Sequence, residues 1–277
     1  MAKVAPWVSL LLGALLFLSS VTALKGLPQR FSALEMTTVL PRFVQVVLAG
    51  GDRFLASNID VFRALTASGN KPSRSKLHVQ GQIHADASWL NPAHEDNYYV
   101  AAAMLPWNGE FELGDYVLEH ATTARPYDFM PPFFRGFNHF YFRRDRLTGA
   151  GYVKLAAQRA NDEQNREAFE TIAARWTERG STPDEGIRLL AGMKATTRSE
   201  QVRKFLQDSI DNLQKLIELR KAAERFQLRF GRSIHTLDEL VSAGMLQGLP
   251  TNPPGRMYVL DPKGIPDLID QRPAAKN

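Results

Sequence analysis

The residues of this chain most able to do chemistry are six histidines, and their spacing does not suit a metal site or an acid–base pair. The H-E-x-x-H spacing, which places two ring nitrogens and a general base on one helix face, does not occur. The run His94-Glu95-Asp96 is polar, but adjacent helical residues point in different directions. We therefore read it as a polar helix start and expect no bound metal.

Other routes to catalysis are equally poorly supported. The chain has no cysteine, which excludes thiolate nucleophiles, disulfides and zinc–cysteine sites. The Gly50-Gly51 pair lacks the lysine and the strand-loop-helix context of a phosphate loop. Ser57, Ser68 and Ser209 have no nucleophile-elbow surroundings. The sequence thus predicts a protein that is not an enzyme, with no cofactor and no small-molecule substrate.

An apolar run near the amino terminus indicates where the chain resides. Residues 5–24 are twenty residues without a charge, enough to cross a hydrocarbon core of roughly 30 Å as one helix. Trp7 lies where an indole ring can sit at the headgroup level. We predict a single-pass signal anchor in a bacterial inner membrane, with the remainder in the periplasm. The alternative is a signal peptide cleaved after Ala23, which also exports the remainder.

The rest of the chain shows mostly helical periodicity, so we predict an all-α fold. A helix pair is expected over residues 39–65, interrupted at Gly50-Gly51, and another helix over residues 77–90. Turn-rich breaks at residues 67–76 and 249–255 read as loops. Residues 199–230 predict one long amphipathic helix that caps the end of the helical stack.

The segment of residues 94–126 has small residues where two helices would cross and a proline where the pair would end. Ala102, Gly114 and Leu118 occupy these packing positions, and Pro126 follows. This pattern resembles the tetratricopeptide repeat (TPR), a helix-turn-helix unit of 34 residues. Similar units are expected over residues 130–161 and 165–197. Because neither helix of a unit buries its apolar face alone, the resemblance implies a stacked solenoid.

Residues 40–161 also resemble a family of membrane-anchored bacterial TPR proteins. The motifs that carry the likeness are the LPRF start at residue 40, the WLNP element at residue 89 and the RGFNHFYF segment at residue 135. The resemblance implies the fold and the placement at a membrane. It implies no chemistry.

A different pattern begins after residue 230. Thr236-Leu-Asp-Glu239 reads as a capping box, Gly244 as the left-handed end of a short helix, and residues 257–260 as a strand before a turn at residues 261–264. The order resembles the globular part of the major pseudopilins of type II secretion. Asn252 stands where pseudopilins have an aspartate, which speaks against a calcium site. We read residues 231–277 as a small α+β module.

Residues 127–142 contain eight aromatic side chains, followed by Arg143 and Arg144. Either the rings fill the space between helices, or some line a groove for a partner, since protein interfaces favour aromatic residues and arginine. From the register of the repeat, the expected protein contacts are Tyr99, Phe134, Asn138, Tyr141 and Phe142.

The chain therefore divides into an anchor and flank (residues 1–30), TPR-like repeats (31–198), a long capping helix (199–230) and the carboxyl-terminal module (231–277). We expect a membrane-tethered, extracytoplasmic scaffold that binds other proteins. Alternatives are a permanent non-catalytic subunit of a membrane enzyme and an accessory factor of a secretion or pilus system. Export argues against nucleic acid as a partner, despite the net charge of +5.

Overall fold

The computed structural model describes residues 12–20, 22, 38–66 and 73–271. Residues 12–20 and 22 are helical, while the rest of the predicted anchor, including the cleavage point after Ala23, lies outside the described residues. Within the described part, no helix combines the length and the apolar character needed to cross a bilayer.

The described chain is mostly helical, as predicted, and ends in one small sheet. The helices are α1 (Arg42–Leu48), α2 (Arg53–Thr66), α3 (Arg74–Leu90), α4 (Glu95–Met104), α5 (Phe111–Ala124), α6 (Met130–Tyr141), α7 (Arg146–Arg159), α8 (Glu163–Gly180), α9 (Pro183–Thr196), α10 (Glu200–Phe230) and α11 (Asp238–Ser242). A 3-10 turn (Pro106–Asn108) joins α4 to α5. The strands are β1 (Arg256–Leu260) and β2 (Pro266–Asp270).

The predicted amino-terminal helix pair is present and breaks at the predicted glycines. Gly50 and Gly51 have φ of 68° and 90°, a left-handed conformation that favours glycine. Asp52 then opens α2, because its Oδ1 accepts the backbone N–H of Phe54 at 2.8 Å. The loop predicted over residues 67–76 extends too far at its carboxyl-terminal boundary, because α3 already begins at Arg74.

Three hairpins form the middle of the chain: α4–α5, α6–α7 and α8–α9. Their first helices begin at residues 95, 130 and 163, which are 35 and 33 residues apart. The predicted units differ from these hairpins by at most two residues at either end. In addition, α4 contacts α6, so the first helices of two hairpins lie against one another, and α8 contacts the long helix α10. Units that pack mainly on their neighbours build a solenoid-like stack.

Side-chain caps define where the later helices start. Asp145, Asp162, Thr182 and Ser199 each accept the backbone N–H three residues further on, at the starts of α7, α8, α9 and α10. Each such cap satisfies an N–H that has no partner within the helix and stabilises it by roughly 1 kcal/mol. The turns before α7, α8, α9 and α10 are thus fixed by local sequence.

Two large hydrophobic cores hold the stack together. One lies between α4 and α5 and contains Tyr98, Leu105 and Leu118. The other runs from α7 to the carboxyl-terminal hairpin and includes Leu190 and Leu206. A continuous second core means that α10 and the module fold as part of the stack.

The carboxyl-terminal module docks on α10. Strands β1 and β2 pair antiparallel, with Tyr258 opposite Leu268, and both side chains are buried in the core that Leu216 of α10 shares. The predicted capping box is only half formed. Glu239 Oε1 accepts the backbone N–H of Thr236 at 3.3 Å, but α11 has no side-chain cap because it begins one residue later than the box implies.

Candidate protein-binding surface

The structure divides the five predicted contact residues into two groups and one buried side chain. Tyr99 of α4 and Phe134 of α6 form an edge-to-face pair with ring centroids 5.6 Å apart. Both rings are half-buried and pack against the α4–α5 core. This pair joins two hairpins and presents little surface to a partner.

Asn138 lies inside the molecule. Its side chain is 2% exposed, and its Nδ2 has no hydrogen-bond partner among the described residues. Repeat register placed it on an open face, whereas in the structure it is buried on the side of α6 that also carries Phe134. A partner at the molecular surface would not touch Asn138.

Tyr141 and Phe142 belong to a surface group of rings that we call the aromatic cluster, formed by Trp107, Phe137, Tyr141 and Phe142. The ring of Trp107 lies 5.2 Å from that of Tyr141 and 4.9 Å from that of Phe142. Phe137 stacks on Tyr141 at 5.6 Å. Trp107 is 59% exposed and Tyr141 is 40% exposed, so the cluster presents apolar rings to solvent.

The turn between α4 and α5 positions the tryptophan. Pro106 starts the 3-10 turn, and Gly109 ends it with φ of 84°. Pro106 packs against Gly114 of α5, where an added Cβ would lie 3.3 Å from the proline ring. The turn is therefore held tightly to α5 and carries Trp107 toward the end of α6.

Two arginines border the aromatic cluster. The guanidinium of Arg143 lies 4.4 Å from the ring centroid of Phe111, and that of Arg144 lies 5.7 Å from the centroid of Tyr141. Arg143 also pairs with Glu112. Arg144 has φ of 58°, a conformation that is unfavourable for a residue with a Cβ. The turn after α6 keeps both guanidinium groups beside the rings.

An ionic network on another side of α6 fixes this helix on α5. Arg135 donates from Nε and Nη2 to the two carboxylate oxygens of Asp115 at 2.8 and 3.0 Å, and His139 Nε2 lies 3.2 Å from Asp115 Oδ1. Burial alone would raise the pKa of Asp115, but hydrogen bonds from His139 and Arg135 outweigh it and lower the pKa to about 2. The carboxylate thus stays ionised at neutral pH, and Arg135 stacks on Tyr152 at 4.5 Å.

The remaining rings of residues 127–142 fill space between helices. Phe133 contacts Phe169 at 5.1 Å, and Phe140 stacks on Trp176 at 4.1 Å, both between α6 and α8. Tyr127 is the exception, since it is 87% exposed before α6 begins. The segment therefore contains rings of both kinds: some are core, while Tyr141 and its neighbours are at the surface, and a partner for the surface rings stays a prediction.

The histidines considered for metal binding have structural roles. His94 caps α4, since its Nδ1 accepts the backbone N–H of Asn97. His84 is buried, with its Nδ1 2.8 Å from Asn97 Oδ1, and burial lowers its pKa. Across the described residues, no three histidine, aspartate or glutamate side chains come together in a way that could hold a metal ion.

Trp107 is the member of the exposed aromatic cluster that sequence reasoning missed. The repeat register predicts contacts only on helix faces, whereas Trp107 lies in a turn between two helices. The indication available from sequence was the Pro-Trp-Asn-Gly run, in which a large apolar ring stands among turn residues.

Comparisons with known proteins return no relative of this chain. A scan against protein-family models finds no match. A search of curated proteins and a search of solved structures likewise find none.

Proposed function

We propose that this chain is a scaffold or assembly protein whose TPR-like hairpins bind other proteins of a membrane or periplasmic complex. The observation that carries the proposal is the aromatic cluster with its bordering arginines. Exposed aromatic rings beside arginine are enriched at the centres of protein interfaces. Hairpins spaced 35 and 33 residues apart agree with the 34-residue period of a TPR array.

The partner suited to this surface is a helix or extended segment with an apolar anchor and a carboxylate. Trp107 and Tyr141 supply the apolar contact, and Arg144 supplies a cation, whereas Arg143 is already paired with Glu112. Arg144 lies over Tyr141, so one partner side chain can meet both a ring face and a guanidinium group.

The amino-terminal apolar run supports a tether. Residues 5–24 are long enough to span the inner membrane once, with the hairpins in the periplasm. A tether confines the hairpins to a thin layer, which raises the effective concentration of membrane partners around them.

Co-purification tests this function. Tagged full-length protein is crosslinked in native membranes, solubilised in mild detergent and compared with a Trp107→Ala/Tyr141→Ala variant and a Tyr127→Ala control. We expect a defined set of proteins to co-purify with the parent and the control and to be lost with the double variant. Equal recovery with all three chains would contradict the proposed surface.

The amounts recovered separate the scaffold from its main alternative. A constant one-to-one ratio with a single membrane enzyme identifies a permanent accessory subunit. Several partners at lower ratios identify an assembly scaffold.

A role in a secretion or pilus system is the second alternative, and the carboxyl-terminal hairpin favours it. Ile265 and Ile269 are exposed there, on β2 and the turn before it. Deleting residues 231–277 is a poor test, because Leu240 and Tyr258 belong to the α10 core. Ile265→Ser/Ile269→Ser leaves that core intact. Loss of secretion components with this variant alone would support the alternative.

A further inference from the structure

The first two helices turn their large apolar side chains outward. We call this surface the outer face, and its members are Phe43, Val47, Leu48, Phe54, Leu55, Ile59, Phe62 and Leu65. Phe43 is 72% exposed and Phe62 is 68% exposed. A contiguous run of such side chains on one hairpin is more apolar surface than an isolated water-exposed helix pair normally carries.

The inward side of α2 is made of small or polar residues. Ala56, Ala64 and Val61 are buried there, together with Ser57 and Asp60. Ser57 Oγ donates to the carbonyl oxygen of Ala87 in α3 at 2.9 Å. A helix at the surface of a water-surrounded protein buries its large apolar residues. In α2 the large apolar residues are exposed instead, so we infer that an apolar surface covers the outer face.

Charge around the outer face favours lipid as the cover. The two acidic residues of this hairpin are occupied elsewhere: Asp52 caps α2, and Asp60 is buried beside Arg63 at 2.9 Å. Arg53 stands at the start of α2, and Arg42 stands at the start of α1, where its Nε also pairs with Asp86 Oδ1 of α3 at 2.6 Å. Apolar side chains bordered by cations are the composition of helices that lie in a bilayer interface.

An exposed tryptophan stands at the same border. Trp89 at the end of α3 is half-exposed, and the guanidinium of Arg42 lies 5.1 Å from its ring centroid. Arg53 donates to the carbonyl oxygen of Leu90, the neighbouring residue, at 2.5 Å. Indole rings and arginines both concentrate at the level of lipid headgroups.

The length of the connecting chain restricts where the hairpin can lie. Residues 25–37 separate the apolar run from the first described residue of the hairpin segment, Thr38. Thirteen residues extend at most about 45 Å. If residues 5–24 span the bilayer, α1 and α2 are therefore held close to its surface.

We propose that the outer face of α1 and α2 inserts into the interface of a bilayer containing anionic phospholipid, as a second membrane contact beside the tether. This inference rests on the proposed tether and adds an orientation to it. The apolar side chains enter the acyl boundary, and Arg53 meets the headgroups. The hairpin stack then leaves the membrane in a fixed direction.

The test uses the full chain in vesicles of phosphatidylethanolamine and phosphatidylglycerol. Because the chain contains no cysteine, Phe62→Cys can carry a single environment-sensitive fluorophore, and Leu228→Cys, at an 87% exposed site on α10, is its matched control. We expect the label at residue 62 to emit at shorter wavelength, to be quenched by phospholipid bearing a nitroxide and to be shielded from aqueous iodide. The label at residue 228 should be quenched by iodide. Ile59→Cys should repeat the result of Phe62→Cys.

Three outcomes overturn the proposal and can be told apart. A label at residue 62 that iodide quenches as it does at residue 228, on chains that float with the vesicles, removes the lipid contact and leaves the tether. A label shielded from both quenchers means that protein covers the outer face, and dependence on protein concentration identifies a second copy. A chain that does not float with the vesicles contradicts both the tether and the lipid contact.

Discussion

Gly136 of α6 and Gly149 of α7 lie directly against each other. A Cβ added to Gly136 would be 2.8 Å from the carbonyl oxygen of Gly149, and a Cβ added to Gly149 would be 2.8 Å from the carbonyl oxygen of Gly136. Real Cβ atoms do not approach backbone that closely, so α6 and α7 can cross at this distance only with glycine on both sides.

Gly136→Ala should therefore push α6 away from α7. The overpacking is expected to cost about 2–3 kcal/mol of unfolding free energy, and thermal unfolding of the full chain measures it. Gly151→Ala on α7 is the matched control. Nothing lies within 4 Å of a Cβ at residue 151, so this change should stabilise the helix by about 0.5–1 kcal/mol. Equal effects of the two substitutions on stability would mean that α6 and α7 are further apart at Gly136 than described.

Asp115→Asn should show how much the ionic network between α5 and α6 contributes to stability. The folded protein holds the pKa of Asp115 at about 2, against an ordinary value of 3.8, so the carboxylate contributes stability above pH 3.8 and loses it as the pH falls toward 2. We expect a loss of about 2 kcal/mol at pH 7, because Arg135 keeps a buried charge without its partner. The difference between parent and variant should shrink below pH 3. A difference independent of pH would contradict this.

Asp60→Asn should change stability in the opposite direction, that is, increase it. Burial raises the pKa of Asp60 to about 6, although Arg63 opposes it. Because the folded state holds the proton more tightly, stability from this group falls as the pH rises from 3.8 to 6. The asparagine variant should gain stability relative to the parent across that interval, by roughly 1–3 kcal/mol at pH 7. A variant less stable than the parent at pH 7 would show that the Arg63 ion pair outweighs the cost of burial.

Substitutions of Asn252 test whether the carboxyl-terminal module resembles the pseudopilins beyond its fold. Its Oδ1 accepts the backbone N–H of Tyr258 in β1 at 2.9 Å. Asn252→Asp keeps an acceptor and should leave the unfolding temperature nearly unchanged, whereas Asn252→Ala should cost about 1 kcal/mol. If the aspartate variant gained stability with added calcium, the resemblance to pseudopilins would extend to a metal site.

Local sequence was sufficient to predict most of the helices. The glycine break at Gly50-Gly51, the cap at Ser199 that starts α10 and the glycine end at Gly244 depend on neighbouring residues alone. The boundaries of the three hairpins could also be predicted, because the helix pairs repeat at nearly the same spacing along the sequence. The start of α3 was missed, because Ser73 begins the helix while the polar residues after it read as loop.

The surface was harder to predict than the fold. Trp107 and Tyr141 meet only because the 3-10 turn is fixed on α5 while α6 lies along it, and these contacts join residues far apart in sequence. Asn138 was placed by repeat register, which does not report which positions of a helix face are buried by neighbouring helices. The outer face of α1 and α2 escaped notice, because apolar spacing predicts a helix without saying which side is covered.

Site-specific photocrosslinking tests the central claim most directly. A photoreactive amino acid is placed at residue 107 in the full chain, in native membranes, and at residue 127 as the matched exposed control. We predict that residue 107 crosslinks to one or a few discrete proteins, that residue 127 does not, and that Tyr141→Ala reduces the yield from residue 107. Identical crosslinking patterns from the two positions, or none from residue 107, would contradict a protein-binding role for the aromatic cluster.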